Sequence, residues 1–521
     1  MTLTLERFEQ LAAQTTEQVL LSGGDARLVM DAQTGVNKYG CGSLPDPELV
    51  AFGSSTGSTI SGRGFAAASA LHERLLHEEN TLSEPALYHQ ELERIRQELN
   101  HYCEFSTHSE VATIFAASGT DIHLICAQLI AGKKGGDNPD QLPLHIIMME
   151  ASETGSGVAP AVRGQHFSDN ACLGGQVTAF NALAGAYPIQ VTSVGLRGVD
   201  GAKRPIADID AEVDTLVQTS IANRQQVLLI MIDVSKTGLI APSPGYIASL
   251  RQQYPDQVNV LIDACQFRIS NATLNAYLKH GCMVALTGSK FLTGPVFSGL
   301  LHIPPNLIPQ LSQQKLPASL ADYSAQAEWP LDWRATKQLS GAVNWGLLLR
   351  LEAALAELKA LRAVPEKQGI AFLQQFAGAM QSAINNSPHF ELMAESHLSR
   401  APIYSGPSWD QIPTIFPFLL LHGPGLPISR EQTLQIYRQL NTAIEVAGSD
   451  TIDPSIAARR VQLGQPVLCG HQYGKDVSAL RMCASSRVII DACENGQTSI
   501  DAVIQRALQA LEKAAYLIRK L

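Results

Sequence analysis

The sequence lacks the features that are typical of proteins that bind nucleic acids or membranes. Lysine and arginine total 38 against 48 aspartate and glutamate residues, and the formal net charge of the 521 residues is −10. The basic residues are scattered, so the sequence offers no positive patch for a nucleic acid or an anionic lipid surface. It contains no apolar run of the roughly 20 residues that a membrane-spanning helix needs. We therefore expect a small-molecule partner, and neither nucleic acid nor membrane.

Paired cysteines are absent as well. The nine cysteines are odd in number, widely spread and never arranged as C-x-x-C. Such usage indicates reduced, buried thiols rather than a disulfide framework or a zinc knuckle. The first ten residues, MTLTLERFEQ, carry Glu6 and Arg7 where a signal peptide would need an apolar stretch. Both observations lead us to expect a cytoplasmic protein.

Motifs for nucleotides, metals and serine hydrolases are missing or altered. The sequence has neither G-x-G-x-x-G nor a Walker lysine. GSSTG at 53–57 matches G-x-S-x-G, but a short AF rather than a clear strand precedes it. HERLLH at 72–77 spaces its histidines five apart, off the single helical face that H-E-x-x-H presents to zinc. We therefore expect an ordinary loop, an amphipathic helix and no metal site.

Short apolar runs that alternate with helical stretches dominate the middle of the sequence. The runs are HIIMME (145–150), IQVTSVG (189–195), VLLIMIDV (227–234), VNVLIDA (258–264) and MVALTG (283–288). Helical patterns such as TDIHLICAQLIAG and DIDAEVDTLVQTSIANR separate them. Continuous apolar strands separated by helices predict an α/β fold with a mostly parallel sheet that helices sandwich on both faces.

Length and composition predict more than one domain. With 45% hydrophobic residues the chain can bury a large core, and chains of this size split into two or more units. A serine cap and helical spacing predict a helix over 83–104, residues 22–62 are predicted to form an irregular arm, and 342–363 is the longest helical candidate. The predicted units are an N-terminal arm with helices (1–105), a large sheet domain (106–330), and a linking helix with a small C-terminal domain (331–521).

Polar side chains cluster at the predicted ends of three strands, where ligands of parallel sheets collect. They are Ser118, Gly119 and Thr120 before a helix, Asp263 and Gln266 at and after the fourth run, and Thr287, Ser289 and Lys290 after the fifth. The free N–H groups of a helix start bind phosphate, and neighbouring hydroxyls add donors. The sequence therefore brings together a phosphate cradle, a carboxylate and a lysine.

These three groups are the ones needed to hold pyridoxal phosphate. Lys290 would form an imine with the cofactor aldehyde, and Asp263 would keep the pyridine nitrogen protonated so that the ring accepts electrons. A desolvated lysine near a cationic ring loses its proton more easily, as attack on an aldehyde requires.

Four motifs in order resemble those of the class V aminotransferase and cysteine desulfurase family, which has fold type I. They are S-G-T at 118–120, D-x-x-Q at 263–266, T-G-S-K-F followed by G-P at 287–295, and L-R-M-C-A-S at 480–485. The resemblance covers roughly residues 105–510. It implies the fold type I architecture, a mostly parallel sheet sandwiched by helices plus a smaller α+β C-terminal domain, and a homodimer.

The resemblance also implies contacts with the ring of the cofactor. Asp263 would pair with the pyridine nitrogen, Gln266 would bond to the phenolic oxygen, and Lys290 would carry the covalent link. The segment DVSKTGLIAP corresponds to one that often supplies an asparagine near the cofactor, and here Ser235 or Lys236 takes that place.

The resemblance also implies contacts with the phosphate of the cofactor and with the substrate. Thr120, Thr287 and Ser289 would bind the phosphate together with the rest of the cradle at 118–120. Arg481 would clamp the carboxylate of a small amino-acid substrate, for which its planar fork is suited.

The sequence departs from the family pattern at several positions. MMEASETGSG supplies no aromatic residue beside Glu150 to stack on the ring, and Thr154 is the one candidate. SGAVN replaces the G-T-x-N through which a neighbouring subunit lends a threonine, with Ser340 as the substitute. Cys469 lies beyond the position expected for the persulfide cysteine of a desulfurase.

Three functions stay open at this point. A pyridoxal-phosphate aminotransferase comes first, because the desulfurase cysteine is not in place. A lyase that eliminates a β-substituent or cleaves a carbon–sulfur bond comes second, and a non-catalytic protein that keeps the fold comes third. The sequence does not identify the substrate side chain.

Overall fold

The structure is a computed structural model that describes residues 11–78, 82–105, 111–132 and 143–521, apart from 394, 396, 424 and 447–450. The N-terminal decapeptide, which carried the expectation about a signal peptide, lies outside the described residues. Among the helices of this described part, none has both the length and the apolar character to cross a membrane.

Strands and helices alternate through the middle of the chain. The strands are β1 (Leu49–Phe52), β2 (Ala112–Ala116), β3 (Leu144–Met149), β4 (Ile189–Val194), β5 (Gln226–Asp233), β6 (Ile240–Ala241), β7 (Val258–Asp263), β8 (Met283–Thr287), β9 (Gly299–Ile303), β10 (Phe390–Leu392), β11 (Ile415–Gly423), β12 (Leu426–Pro427), β13 (Arg460–Gln472) and β14 (Lys475–Cys483). The helices are α1 (Thr16–Leu20), α2 (Gly62–Glu78), α3 (Glu84–Tyr102), α4 (Gly119–Ala131), α5 (Val158–Val162), α6 (Ile206–Ala222), α7 (Pro244–Gln253), α8 (Asn271–Lys279), α9 (Ile308–Leu311), α10 (Trp345–Ala363), α11 (Glu366–Asn385), α12 (Arg430–Leu440), α13 (Pro454–Ala458), α14 (Ser486–Cys493) and α15 (Gln497–Arg519).

The large sheet has eight strands in the order β2-β9-β8-β7-β5-β3-β4, with β6 paired to β5. The five strands that the apolar runs predicted, β3, β4, β5, β7 and β8, pair in parallel. β9 and β2 extend the sheet in antiparallel pairings. The bounds of the five predicted strands are confirmed to within one residue, and the α/β fold with a mostly parallel sheet is confirmed.

Burial on both faces explains why these strands read as continuous apolar runs. All eight residues of β5 are buried. Successive side chains of a strand point to opposite faces, and here they enter two separate cores: Leu229 and Met231 join one, whereas Leu228 and Ile230 join the other. Helices cover each face, as expected for a parallel sheet.

The second sheet contains a strand from the N-terminal arm. Its order is β1-β13-β14-β11-β10, with β12 paired to β11, and β1 runs parallel to β13 with Leu49 opposite Arg460. The sequence predicted an irregular arm over 22–62, whereas residues 49–52 form this strand. A four-residue segment is too short to show a period, and its partner lies some 400 residues away, so local pattern alone did not reveal it.

A buried ion pair braces the large sheet against the C-terminal part of the chain. Arg400 donates to Asp233, the last residue of β5, from Nη2 to Oδ1 at 2.7 Å and from Nε to Oδ2 at 2.9 Å. The Tyr277 hydroxyl donates to the same Oδ2 at 2.6 Å. The side chains of Arg400 and Asp233 are at most 1% exposed, so each charge depends on the other.

Arg400→Met should destabilise the protein by about 3–5 kcal/mol, because it leaves the Asp233 carboxylate buried without its cation. Urea unfolding followed by circular dichroism measures the loss. Arg460→Met is the matched control, since its pair with Asp46 is 39% and 28% exposed and is worth about 0–1 kcal/mol. Equal losses in the two variants would contradict the brace.

Candidate active site

A cavity of about 520 Å³ lies at the carboxyl ends of the parallel strands. That size falls within the range of roughly 300–1,000 Å³ for small-molecule pockets. Its walls come from the N-terminal arm, from loops that follow strands of the large sheet, and from β13 and β14. The cavity is lined by all ten residues that the sequence placed at the site, which are Ser118, Gly119, Thr120, Ser235, Asp263, Gln266, Thr287, Ser289, Lys290 and Arg481. Their assigned roles stay predictions.

Lys290 lies in the turn after β8, half-buried in the cavity wall. The next residue, Phe291, is 1% exposed and stacks on Trp409 with ring centroids 5.2 Å apart. Gly288 permits this turn, because a Cβ there would lie 2.5 Å from the Cβ of Ala354. The buried phenylalanine thus fixes the backbone that carries the lysine.

Asp263 ends β7 and faces a histidine from α4. Nε2 of His123 lies 3.3 Å from Oδ2 of Asp263, and Nδ1 of His123 lies 2.7 Å from the carbonyl oxygen of Gly119. Because a carbonyl oxygen only accepts, Nδ1 carries a hydrogen. The backbone N–H of Cys265 donates to Oδ1 of Asp263 at 3.2 Å. The carboxylate is therefore held from two sides.

The charges of this pair stabilise each other. Burial alone would raise the pKa of Asp263, but His123 and the charge of Lys290 outweigh burial and hold that pKa well below its usual range. Burial opposes a charged imidazole, yet Asp263 and the Gly119 carbonyl outweigh it and raise the pKa of His123. Asp263 is therefore ionised at neutral pH and able to hold a proton on a ring nitrogen placed against it.

The cradle forms at the start of α4. Ser118 is the N-cap, and its Oγ accepts the N–H of Asp121 at 3.3 Å. The other N–H groups of the first turn have no acceptor inside the helix, and they point toward the positive end of the helix dipole. Thr120 Oγ1 accepts from Nη1 of Arg27 at 2.8 Å. This arrangement suits an anion.

Four further predicted residues line the cavity with their polar groups already engaged. Thr287 donates to the carbonyl oxygen of Cys265 at 2.6 Å, and Ser289 donates to Oγ1 of Thr287 at 3.4 Å. Gln266 donates from Nε2 to the carbonyl oxygen of Ser55 at 3.0 Å. The fourth is the hydroxyl of Ser235.

Ser235 stabilises the turn between β5 and β6 through hydrogen bonds of its hydroxyl. Its hydroxyl donates to Oε2 of the buried Glu153 at 2.8 Å and accepts the N–H of Leu239 at 3.0 Å. Arg197 binds the other carboxylate oxygen of Glu153 at 2.9 Å. The hydroxyl that the sequence proposed for the cofactor thus also organises the loops behind the cavity.

Arg481, on β14, is 2% exposed and is held by the arm and by β13. Its Nη2 donates to Thr56 Oγ1 at 2.7 Å and to the carbonyl oxygen of Gln465 at 2.6 Å. Burial lowers its pKa. A desolvated guanidinium gains more from a substrate carboxylate than an exposed one does.

Sequence reasoning missed many lining residues, among them Arg27, Ser55, Thr56 and His123. The sequence did contain a signal for His123, which is a polar residue four positions after Gly119 in a mostly apolar helix. Ser55 and Thr56 belong to GSSTG, which follows β1 and lines the site rather than forming an ordinary loop. Nothing in the sequence around Arg27 indicated its position.

The structure shows where two residues that depart from the family pattern lie. Thr154 lines the cavity, and its hydroxyl donates to the Glu150 carbonyl at 3.3 Å. Cys469 lies within β13, is 2% exposed and is not among the residues that line the cavity. Burial raises the pKa of its thiol to about 11, so it has the properties of a packed thiol rather than a nucleophile.

Lys236 places a second amine in the cavity wall. Its Nζ donates to the carbonyl oxygen of Ser152 at 3.0 Å. Burial, together with the charges of Arg481 and Lys290, lowers its pKa to about 8. It is therefore partly neutral just above physiological pH.

Solved structures of similar fold include a cystine C–S lyase, C-DES, in complex with its reaction product cysteine persulfide. It is 14% identical, and the match covers 88% of this chain and 97% of that one at a TM-score of 0.51. The cysteine desulfurase CsdA from Escherichia coli is 14% identical over 89% and 95% of the two chains at a TM-score of 0.50. Neither a protein-family model nor a curated protein matches the sequence.

A NifS-like protein from Rickettsia africae is also similar, at 12% identity over 90% of this chain and 99% of that one, with a TM-score of 0.50. These similarities establish that the chain has fold type I, the fold that the four sequence motifs implied.

Lys236→Met should change how stability depends on pH. The folded pKa of about 8 lies below the ordinary value of 10.5, so between these values the unfolded wild type binds more protons and its free energy of unfolding rises with pH. The variant lacks this gain. Wild type should therefore gain about 1–3 kcal/mol over the variant between about pH 8 and about pH 10.

Urea unfolding at a series of pH values measures this difference. The exposed Lys279→Met is the matched control and should follow the wild-type slope. A difference between wild type and Lys236→Met that stays constant with pH would refute the lowered pKa.

Proposed function

We propose that this chain is a pyridoxal-phosphate enzyme that acts on a small amino acid through Lys290, with transamination as its reaction. The proposal rests on one observation: Lys290, the ionised Asp263 and the cradle at 118–120 line a single cavity. The fold supports it, because similar structures include enzymes of this cofactor class, among them a C-DES variant with glycine linked to the cofactor.

The donor set fits this cofactor. An anion-binding helix start, a carboxylate kept ionised and an amine lie around a cavity of about 520 Å³, which is large enough for a cofactor and a small substrate. Pyridoxal phosphate, when bound, supplies an aldehyde for an amine and a ring that accepts electrons from the substrate.

Asp263 would hold the proton on the ring nitrogen. Its Oδ2 faces His123 and its Oδ1 accepts the N–H of Cys265, so the carboxylate is both oriented and kept charged. Loss of His123 would leave Asp263 to the opposing effect of burial, which raises a carboxyl pKa. His123 is thus a positioning residue for Asp263.

Lys290 would carry the cofactor and then move the proton of the substrate Cα. The Lys290 amine would take up that proton as a base and, once protonated, would return it as an acid. Arg481 would bind the substrate carboxylate, with Thr56 and Gln465 holding its guanidinium in place. The N-terminal arm and β14 thereby orient the substrate.

Carbon–sulfur lyase chemistry is the second candidate, because a similar structure is a cystine C–S lyase. The buried Cys469 does not support persulfide transfer of the desulfurase kind. A lyase that releases its product without a protein cysteine stays compatible with the cavity.

We further propose a cytoplasmic homodimer. All nine cysteines are free, and eight of them are buried, as in proteins of reducing compartments. The resemblance to class V enzymes supports the dimer, because their active sites form at a subunit interface.

Borohydride reduction of the protein with pyridoxal phosphate should attach the cofactor to Lys290, because this lysine belongs to T-G-S-K-F and its charge helps to lower the pKa of Asp263. Peptide mass mapping identifies the labelled residue. Lys290→Ala should lose the label, whereas the exposed Lys279→Met should keep it. A label on Lys236 in the wild type would overturn the assignment of Lys290.

A requirement for a keto-acid acceptor separates the two reactions. Transamination of an amino acid should stop after one turnover when no keto acid is supplied, because nothing then carries the amino group away from the protein. Product analysis with and without the acceptor, over a panel that includes cysteine and cystine, measures this. Sulfide or pyruvate released at the same rate without acceptor would identify a lyase instead.

A further inference from the structure

Arg27 reaches from the N-terminal arm into the cradle at the start of α4. Its Nη1 donates to Thr120 Oγ1 at 2.8 Å, and its Nη2 donates to Ser118 Oγ at 3.0 Å. One guanidinium thus spans the two hydroxyls at which the sequence placed the phosphate. Nothing in the sequence motifs pointed to this residue.

A carboxylate fixes the orientation of the guanidinium. Nε and Nη2 of Arg27 bind Asp25 at distances of 2.6 to 3.0 Å. Its Cζ lies 5.4 Å from the ring centroid of Phe167 and 5.0 Å from that of Phe297. These rings favour the cation and exclude water from its faces. The side chain is 15% exposed.

The arm that carries Arg27 is anchored within the same chain. The buried Arg350 of α10 donates to the carbonyl oxygens of Leu20 at 2.7 Å and Gly23 at 2.8 Å. Asn344 donates to the same Gly23 oxygen at 3.1 Å. Gly23 has a φ of +62°, and a Cβ there would overlap the Asn344 side chain. This local geometry fixes where residue 27 lies.

The charges at the cradle require a cation. Asp25 and Asp121 are 4% and 1% exposed, and burial raises the pKa of Asp121 only to about 6, so it is mostly ionised at neutral pH. A phosphate monoester brings close to two further negative charges. Nη2 of Arg27 lies 4.0 Å from Oδ2 of Asp121 and reduces that repulsion.

We propose that Arg27 is a phosphate ligand of the cofactor, supplied by the N-terminal arm of the same subunit. This inference rests on the proposed function. Arginine suits the task because a phosphate oxygen can replace a cradle hydroxyl as the acceptor of Nη1 or Nη2 while Nε stays on Asp25. The arm therefore has a binding function in addition to its strand in the second sheet.

A comparison of two cofactor forms tests the proposal. Pyridoxal lacks the phosphate, so the ratio of its dissociation constant to that of pyridoxal phosphate reports the phosphate contacts alone. Arg27→Gln should lower this ratio roughly 10- to 100-fold, the effect of losing hydrogen bonds to a charged group. Equilibrium dialysis of the apoprotein with each compound gives both constants without an activity assay.

Two further variants complete the test. Arg163→Gln removes an exposed arginine that is not among the residues lining the cavity, and it should leave the ratio unchanged. Arg27→Lys keeps the charge but loses the fork, so its ratio should lie between those of wild type and Arg27→Gln. If Arg27→Gln does not fold, a wild-type ratio in Arg27→Lys overturns the proposal.

The outcomes separate this inference from the proposed function. Wild-type protein that binds neither compound would refute the proposed function itself. Wild-type protein that binds pyridoxal phosphate, with equal weakening of both compounds in Arg27→Gln, would refute only the phosphate contact. That result would show that the arginine acts on the fold of the arm.

Discussion

The candidate site depends on keeping one buried carboxylate charged. Burial at the end of β7 opposes ionisation of Asp263, and the imidazole of His123, 3.3 Å away, reverses the balance. That imidazole is itself positioned by the Gly119 carbonyl oxygen, so the helix start that offers N–H groups to an anion also orients the partner of the carboxylate. One helix, α4, would therefore act at both ends of a bound cofactor. Its first N–H groups would bind the phosphate, and its His123 would hold Asp263 at the ring nitrogen.

The rest of the cavity is assembled by elements distant in sequence. Arg481 comes from β14 and touches Thr56 of the arm, while Gln266, from the loop after β7, donates to Ser55 beside it. The loop that follows β1 is therefore bonded both to the second sheet and to a loop that leaves the large sheet. The proposed contacts with substrate and cofactor would therefore be coupled through these few arm residues, which would give the N-terminal arm an importance beyond its length.

Much of the fold and site could be predicted, for identifiable reasons. The parallel strands are buried on both faces, so they leave uninterrupted apolar runs, and polar residues at their ends stand out against them. Short strands such as β1 carry no such signal. His123 and Arg27 act through contacts across the chain, and only the three-dimensional structure brings them beside Asp263 and Thr120. Roles for Ser235 and Gln266 depended on resemblance, and each hydroxyl or amide also has a partner within the protein.

The pairing of β1 with β13 has a consequence for biosynthesis. Residues 49–52 emerge from the ribosome some 400 residues before their partner at 460–463. Strands that are so far apart in sequence pair slowly, because the conformational entropy of the long intervening segment must be lost before the contact forms. The wall of the cavity that carries Ser55 and Thr56 therefore gains this support only after residues 460–463 have been made, and a ligand in the cavity can be fully enclosed only from that point on.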